Sequence, residues 1–168
     1  MQIANCKNDM NYKIREIEIT EYHVLEDFLY EAIFIPKGMS APPREIIDQP
    51  ELQVYISDFG KRKGDMGLVA EVDNNIVGAV WVRIMNDYGH IDDETPSFAI
   101  SLYADYRKYG IGTALMKEML DRLKQQGYKQ ASLAVQKANY AVKMYKKVGF
   151  EIVGENDEEY IMVCKLGL

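Results

Sequence analysis

A glycine-containing turn between a strand-like segment and an amphipathic helix constrains the fold of this chain more than any other feature. The turn reads Arg107-Lys108-Tyr109-Gly110-Ile111-Gly112-Thr113 and follows an apolar run, Phe98 to Tyr103, that is typical of a buried strand. Beyond the turn, apolar residues recur at helical spacing: Leu115, Met116, Met119, Leu120 and Leu123, with Gly127 as a natural stop. The pattern predicts a strand, a loop and a helix in that order.

Such a turn is suited to bind an anion. Gly110 and Gly112 let the backbone take positive φ and approach a ligand closely. The first turn of the following helix leaves its N–H groups unpaired at the positive end of the helix dipole. Two well-known phosphate loops do not fit, because one needs a third glycine at Leu115 and the other needs Gly-Lys-Ser/Thr. The pattern that remains is Arg-x-x-Gly-x-Gly.

The segments that follow continue the alternation of strand and helix. Gln130 to Val135 reads as a strand, Asn139 is placed to cap a short helix, and Tyr145 lies on the apolar face of that helix. Gly149-Phe150 ends the helix and opens another strand. Arg-x-x-Gly-x-Gly, Asn139, Tyr145 and Gly149-Phe150, in this order, resemble the second half of the GNAT superfamily of acyl-CoA N-acyltransferases.

The rest of the chain agrees with that family in outline. The sequence predicts a strand at 13–19, a helix capped by Thr20, an irregular stretch at 34–43, helix within 44–59, strands at 67–72 and 76–85 around an Asp73-Asn74-Asn75 turn, a polar loop at 86–94, and strands at 150–154 and 160–165. We therefore expect an α/β (α+β) fold with a mixed, mainly antiparallel central sheet of about six to seven strands flanked by about four helices.

Length and composition favour one cytoplasmic domain. We expect a polar N-terminal extension at 1–12 and a single N-acetyltransferase domain at 13–168. Acidic residues outnumber basic ones 26 to 20, and the net charge of −6 disfavours nucleic acid or an anionic membrane as a partner. Cys6 and Cys164 alone cannot build a disulfide framework or a zinc site. The N-terminus lacks the apolar core of a signal peptide.

The resemblance implies acetyl-CoA as co-substrate and no metal. It places the pyrophosphate on backbone N–H groups of the loop and the pantetheine arm along the strand before it. The implied cofactor-binding residues are Ile100, Leu102, Tyr103, Arg107, Lys108, Tyr109, Gly110, Ile111, Gly112, Thr113, Asn139 and Tyr145. The alternatives are an ordinary strand-to-helix turn and, for Asn139, a helix cap with no cofactor contact.

The resemblance also assigns the proton donor but leaves the base open. Tyr145 occupies the position of the tyrosine that protonates the coenzyme A thiolate, and its alternative is a core aromatic residue. Family members often carry a glutamate on the strand before the phosphate loop, but Pro96 to Tyr103 contains no acid. Glu94, in the run His90-Ile91-Asp92-Asp93-Glu94, is the nearest candidate, and its alternative is a solvated acidic loop. A backbone N–H near Leu102 or Tyr103 is the expected oxyanion donor.

These implications add up to one predicted reaction. An acetyl group moves from acetyl-CoA to a primary amine of a small molecule or peptide by direct attack in a ternary complex. The alternative is a non-catalytic acyl-CoA-binding domain. The acidic runs 92–94 and 155–159 have two alternatives: they flank the entrance for the amine, or they are solvated loops remote from the site. The partners are acetyl-CoA and the amine acceptor, and a homodimer is left open.

Overall fold

Seven strands form one mixed sheet in the computed structural model, which describes residues 10–167. The strands are β1 Lys13–Glu16, β2 Met66–Val72, β3 Asn75–Arg83, β4 Ser97–Leu102, β5 Gln130–Gln136, β6 Phe150–Glu155 and β7 Glu159–Lys165. Their spatial order is β1-β2-β3-β4-β5-β7-β6. Neighbouring strands are antiparallel except for β4 and β5, which are parallel. The parallel pair at the centre of the sheet is where the site lies.

The described residues form four α-helices, which cover both faces of the sheet. They are α1 Val24–Glu31, α2 Pro50–Gln53, α3 Ile111–Gln125 and α4 Ala141–Val148. Short 3₁₀ turns occupy Ile19–Glu21, Arg44–Asp48 and Ala104–Tyr106. The predicted fold class, strand number and helix number are confirmed.

Two apolar cores follow from the alternation of side chains along the strands. On one face, the predicted apolar stripe of α3 is buried against residues such as Leu68, Val80 and Phe98. On the other face, α1 packs through Phe28 and its neighbours against Val69, Ala79 and Trp81. Burial on both faces explains why β2 to β4 are apolar almost throughout.

The first half of the chain departs from the sequence predictions in two places. Strand β1 ends at Glu16, and Thr20 lies inside a 3₁₀ turn before α1 instead of capping that helix. The segment 44–59 is not one helix. Pro50 has no N–H and forces Gln49 into an extended conformation, with φ −67° and ψ 141°, so a new short helix begins at Pro50.

The turn between β2 and β3 agrees with the prediction. Asp73 and Asn74 have φ values of 50° and 66°, as the tight turn of a two-residue hairpin requires. The predicted extension at 1–12 lies largely outside the described residues, although Met10 packs against the larger core. Among the residues described, no helix is long and apolar enough to cross a bilayer.

Candidate functional site

The loop between β4 and α3 presents backbone N–H groups to solvent at the start of a long helix. Lys108 and Gly110 have φ values of 69° and 85°, which turn the chain sharply into α3. The first hydrogen bond of the helix runs from the Ala114 N–H to the Gly110 carbonyl at 3.1 Å. The N–H groups before Ala114 therefore point out of the helix end, where the dipole favours an anion.

The two glycines of the loop have different roles. Gly110 alone takes positive φ, so the expectation that both glycines need this conformation is wrong for Gly112. A Cβ atom at Gly112 would lie 3.4 Å from Leu102 Cδ1, an ordinary contact distance. Gly112 instead leaves the first turn of α3 without a side chain, so the backbone there stays open to a ligand.

Arg107 braces this loop against the rest of the site. Its Nε donates to the Leu102 carbonyl at 3.1 Å, and its guanidinium pairs with Glu31 at 3.3 Å. Glu31 ends α1, so the ion pair ties that helix to the phosphate loop. Arg107 lines the groove beside the loop, but both of these contacts are with the protein itself.

A gap opens between the parallel strands β4 and β5. Within residues 10–167, Ser97 and Ser132 form the single parallel pair that joins these strands. The Tyr103 N–H donates to the Val77 carbonyl at 2.9 Å, which fixes the alternation of backbone groups along β4. The N–H and C=O groups of Ile100, and the N–H of Leu102, therefore point away from β3 and into the gap. An extended ligand can pair with these groups as an added strand does.

A groove of about 670 Å³ joins this gap to the phosphate loop. Most of the predicted cofactor-binding residues line it: Ile100, Leu102, Arg107, Lys108, Gly110, Gly112, Thr113, Asn139 and Tyr145. The structure does not bring three others there. Tyr109 and Ile111 pack into the core beneath the loop. The Tyr103 ring packs at a tilt against Phe28 in the core on the α1 face of the sheet. Because the Tyr103 N–H is bonded to Val77, it also does not face the gap.

Tyr145 lies where the groove meets the gap. Its side chain is 9% exposed, its ring packs edge-on against Phe150, and it lines the cavities on both sides of the gap. Burial raises the pKa of the Tyr145 phenol to about 12, with a smaller contribution from Tyr140. The phenol therefore keeps its proton throughout the neutral range, as a proton donor must.

Asn139 caps α4 and faces the groove at the same time. Its Oδ1 accepts a hydrogen bond from the Ala141 N–H at 2.9 Å, which supports the start of α4. The residue also lines both cavities, with its amide group still available to donate. The structure thus supports the capping role, and a cofactor contact is compatible with it.

A second cavity of about 970 Å³ continues from the gap on the α1 side of the sheet. The two cavities form one passage, because they share the lining residues Ala32, Ile33, Phe34, Ile100, Asn139 and Tyr145. The walls of the second cavity come from α1, the segment around α2, and the strands β4, β5 and β7. Among the described residues, the charged side chains that line it are Glu51, Asp87 and Glu159, all of them acids.

Glu94 does not belong to this passage, which corrects its assignment as the base. It is exposed and lines a separate cavity with Asp92, Asp93 and Lys129, beyond the end of β4 at which the strand begins. The two alternatives for the acidic runs each hold for one of them. Glu159, at the start of β7, lines the passage, whereas the 92–94 run lies elsewhere.

The structure reveals an acid that the sequence did not single out. Asp87 follows β3 and accepts hydrogen bonds from the Tyr55 hydroxyl at 3.1 Å and the Ser97 hydroxyl at 3.2 Å. Burial raises the pKa of Asp87, although these two hydrogen bonds and backbone N–H groups of Asp87 and Gly89 act to lower it. The sequence placed Asp87 in a polar loop between two predicted strands. It gave no sign that Tyr55, which lies 32 residues earlier, would contact it.

Several solved structures with a similar fold are those of acetyltransferases. The chain superposes on the PaiA N-acetyltransferase of Thermoplasma acidophilum, solved with coenzyme A, with a TM-score of 0.69 and 19% identity, covering 93% of this chain and 99% of the other. It superposes on a phosphinothricin acetyltransferase of Sinorhizobium meliloti, solved with AcCoA, with a TM-score of 0.68 and 17% identity over 94% and 90% of the two chains. The fold is that of the GNAT superfamily.

The sequence comparisons identify the family itself. Residues 15–150 match the model of the acetyltransferase (GNAT) family, so the chain belongs to that family. It is also similar to the N-alpha-acetyltransferase of Sulfurisphaera tokodaii, with 25% identity over 182 residues, 99% of this chain and 100% of the relative. The family assignment confirms the predicted N-acetyltransferase class and, with it, acetyl-CoA as the co-substrate. It gives no support to a non-catalytic acyl-CoA-binding domain.

Proposed function

We propose that this protein transfers the acetyl group of acetyl-CoA to a primary amine of a small molecule or peptide by direct attack in a ternary complex. One observation carries the proposal: a single passage runs from the phosphate loop, along the gap between β4 and β5, to an acidic cavity. Donor and acceptor can therefore reach the same point from opposite ends of this passage. That arrangement suits direct transfer without a covalent enzyme intermediate.

We propose that the phosphate loop and β4 hold the cofactor. The N–H groups from Lys108 to Thr113 bind the pyrophosphate, and the open first turn at Gly112 lets it approach the backbone. The pantetheine arm lies along the gap and pairs with the Leu102 N–H and the Ile100 carbonyl. Asn139 supplies an amide donor from the opposite wall. Arg107 acts by holding the loop to Leu102 and Glu31.

The same geometry supports a role for each group in the chemical step. The amine nitrogen attacks the thioester carbonyl carbon, and negative charge develops on the carbonyl oxygen. The Ile100 N–H faces the gap further from the phosphate loop than Leu102 does, and it is the donor we assign to that oxygen. When the carbon–sulfur bond breaks, the electron pair goes to sulfur and the Tyr145 phenol donates its proton to the thiolate.

The test is release of coenzyme A from acetyl-CoA, followed with a thiol reagent, in the presence and absence of a panel of amines. We expect release to be several times faster with an accepted amine than without one, and mass spectrometry to find the N-acetylated product. Release at the same rate with every amine and without any would refute the proposal. Heat-denatured protein serves as the control for chemical acetylation.

The extent of the catalytic unit is part of the proposal. We propose that residues 13–168 form one domain, because the sheet that holds the site runs from Lys13 in β1 to Lys165 in β7. The cytoplasmic location and the homodimer stay predictions.

A further inference from the structure

Asp87 is held rigidly at the mouth of the acceptor cavity by several parts of the fold. Tyr55 and Ser97 each donate to one of its carboxylate oxygens, at 3.1 and 3.2 Å. Its own turn is closed by the His90 N–H, which donates to the Asp87 carbonyl at 3.1 Å. The Ser132 hydroxyl on β5 donates to the Gly89 carbonyl at 2.8 Å. The turn is thereby fixed beside the Ser97–Ser132 pair, where β4 and β5 begin to separate.

The partner of Asp87, Tyr55, is itself supported by buried polar contacts. The Trp81 indole N–H donates to the Tyr55 carbonyl at 3.0 Å. Arg83 donates to the carbonyls of Val54 and Ser57 at 3.0 and 2.9 Å, and its guanidinium pairs with Asp65 in a fully buried ion pair. Buried polar networks of this kind hold a segment in a single geometry. The Tyr55 hydroxyl is thus presented to Asp87 in a fixed position.

The Asp87 carboxylate receives hydrogen bonds from neutral groups. Its donors are the hydroxyls of Tyr55 and Ser97, together with backbone N–H groups of Asp87 and Gly89. Asp87 faces a cavity whose walls include Leu29, Ile33 and Leu52. Among the described residues, no lysine, arginine or histidine lines that cavity. The negative charge of Asp87 therefore has no cation of the protein beside it in this cavity.

Asp87 and Tyr145 approach the gap from opposite faces of the sheet. Asp87 is bonded to Ser97, whose side chain alternates with that of Phe98 along β4. Phe98 packs in the core that contains Tyr145, and Ala99 packs in the core that contains α1. A proton acceptor on the α1 side and a proton donor on the α4 side leave the space between them for the reacting atoms.

We infer that Asp87 binds the ammonium group of the acceptor and takes its proton, and that the acceptors are amines with an apolar body and no carboxylate beside the amine. The inference rests on the proposed acetyl transfer. An acceptor carboxylate would meet Glu51, Asp87 and Glu159 with no cation to offset the repulsion. An ammonium group with an aliphatic or aromatic body would match both the acids and the apolar walls.

The proton balance of the step is complete with these groups. The ammonium group gives one proton to Asp87, and the neutral nitrogen forms the new carbon–nitrogen bond. Tyr145 protonates the departing sulfur, and the second nitrogen proton restores the phenol. Asp87 then releases its proton to solvent, so that one proton leaves for each acetamide formed.

The first test compares matched acceptors in the wild-type protein. Phenethylamine and phenylalanine differ by one carboxylate, as do cadaverine and lysine. We expect kcat/KM for each amine to exceed that for its amino acid at least tenfold, because the added carboxylate is desolvated among three acids. An amino acid acetylated as well as its amine would overturn the substrate class.

The second test uses Asp87→Asn, with Asp58→Asn as the matched control. Asp58 is an exposed carboxylate three residues beyond Tyr55 and lines none of these cavities. We expect Asp87→Asn to lower kcat/KM for phenethylamine by roughly 10²-fold, the scale of one acid–base group, with acetyl-CoA affinity by calorimetry unchanged. Asp58→Asn should keep wild-type kcat/KM. Full turnover by Asp87→Asn would overturn this inference alone, whereas wild-type protein inactive with every amine would overturn the proposed function as well.

The third test is a pH profile of Tyr55→Phe, which keeps the ring and removes its donor. The groups that act on Asp87 are Tyr55, Ser97 and Glu159 on β7. The His90 ring is in the same turn, but its Nε2 lies 3.6 Å from Asp93. The pKa of Asp87 lies above the ordinary aspartate value, and the base is lost as pH falls through it. Loss of the Tyr55 hydrogen bond raises that pKa further, so the acidic limb of kcat/KM should move to higher pH. An unmoved acidic limb in a folded Tyr55→Phe protein would contradict the role of Asp87.

Discussion

Replacing Tyr145 with phenylalanine is the sharpest test of the proton donor, because the change removes one atom that the described structure does not use for folding. Only burial and Tyr140 perturb the phenol, and no hydrogen bond of its hydroxyl contributes to its raised pKa. The ring contacts with Phe150 are kept. We therefore expect the free energy of unfolding in urea to change by less than about 0.5 kcal/mol.

Activity should respond very differently from stability. Loss of a general acid costs roughly 10²-fold in kcat at the lower end of the known range, which corresponds to about 2.7 kcal/mol of transition-state stabilisation. Acetyl-CoA affinity by calorimetry should be unchanged. Because the pKa of Tyr145 is about 12, the wild-type kcat should show no fall attributable to this group as pH rises through the neutral and mildly basic range.

A control and a clear refutation are available for this prediction. Tyr128 lies in the separate cavity beside Glu94, so Tyr128→Phe should keep wild-type kcat. If Tyr145→Phe is folded, binds acetyl-CoA normally and also retains wild-type kcat, the thiolate leaves without help from Tyr145. The assignment of the proton donor would then be wrong.

Three further predictions concern the loop, the support of the acceptor cavity and the helix cap. Gly112→Glu should weaken acetyl-CoA binding at least tenfold by calorimetry, and Gly112→Gln should weaken it less. Both side chains fill the open helix turn, but only glutamate repels phosphate. Equal affinity of both variants and wild type would exclude this loop as the pyrophosphate site. Arg83→Met should lower the free energy of unfolding by roughly 3–5 kcal/mol, because Asp65 is then a buried, unpaired charge. A double variant with Asp65→Leu should recover part of the loss. An unchanged urea midpoint for Arg83→Met would contradict this expectation. Asn139→Ala should lower the free energy of unfolding by about 1 kcal/mol, whereas Asn139→Asp keeps the oxygen that caps α4 and should keep the stability. Equal loss of stability in both variants would show that Oδ1 does not cap α4.

The second half of the fold was predictable because its signals are local. The stripe on α3 repeats at helical spacing from Leu115 to Leu123, about two and a half turns. Gly127 and Gly149 stop their helices at φ values of 90° and 116°. The loop, Asn139 and Tyr145 meet in one groove because each sits at the end or on the face of an element with such a signal. Their joint position then follows from the order of elements in the family.

The acceptor side was not predictable for the opposite reason. Asp87, Tyr55 and Ser97 come from three segments, and their contact depends on Trp81 and Arg83 holding the chain after α2. No periodicity marks such a meeting point. Glu94 was chosen because it lies near β4 in the sequence. In space it lies at the end where β4 begins, whereas the phosphate loop lies at the end where β4 stops.

The most direct test of the central claim is a crystal structure of the protein with coenzyme A bound. We predict the pyrophosphate on the N–H groups between Lys108 and Thr113, the pantetheine arm in the gap between β4 and β5, and the sulfur within hydrogen-bond reach of the Tyr145 hydroxyl. Coenzyme A bound outside that gap, or a gap that is closed while the cofactor lies elsewhere, would contradict the account.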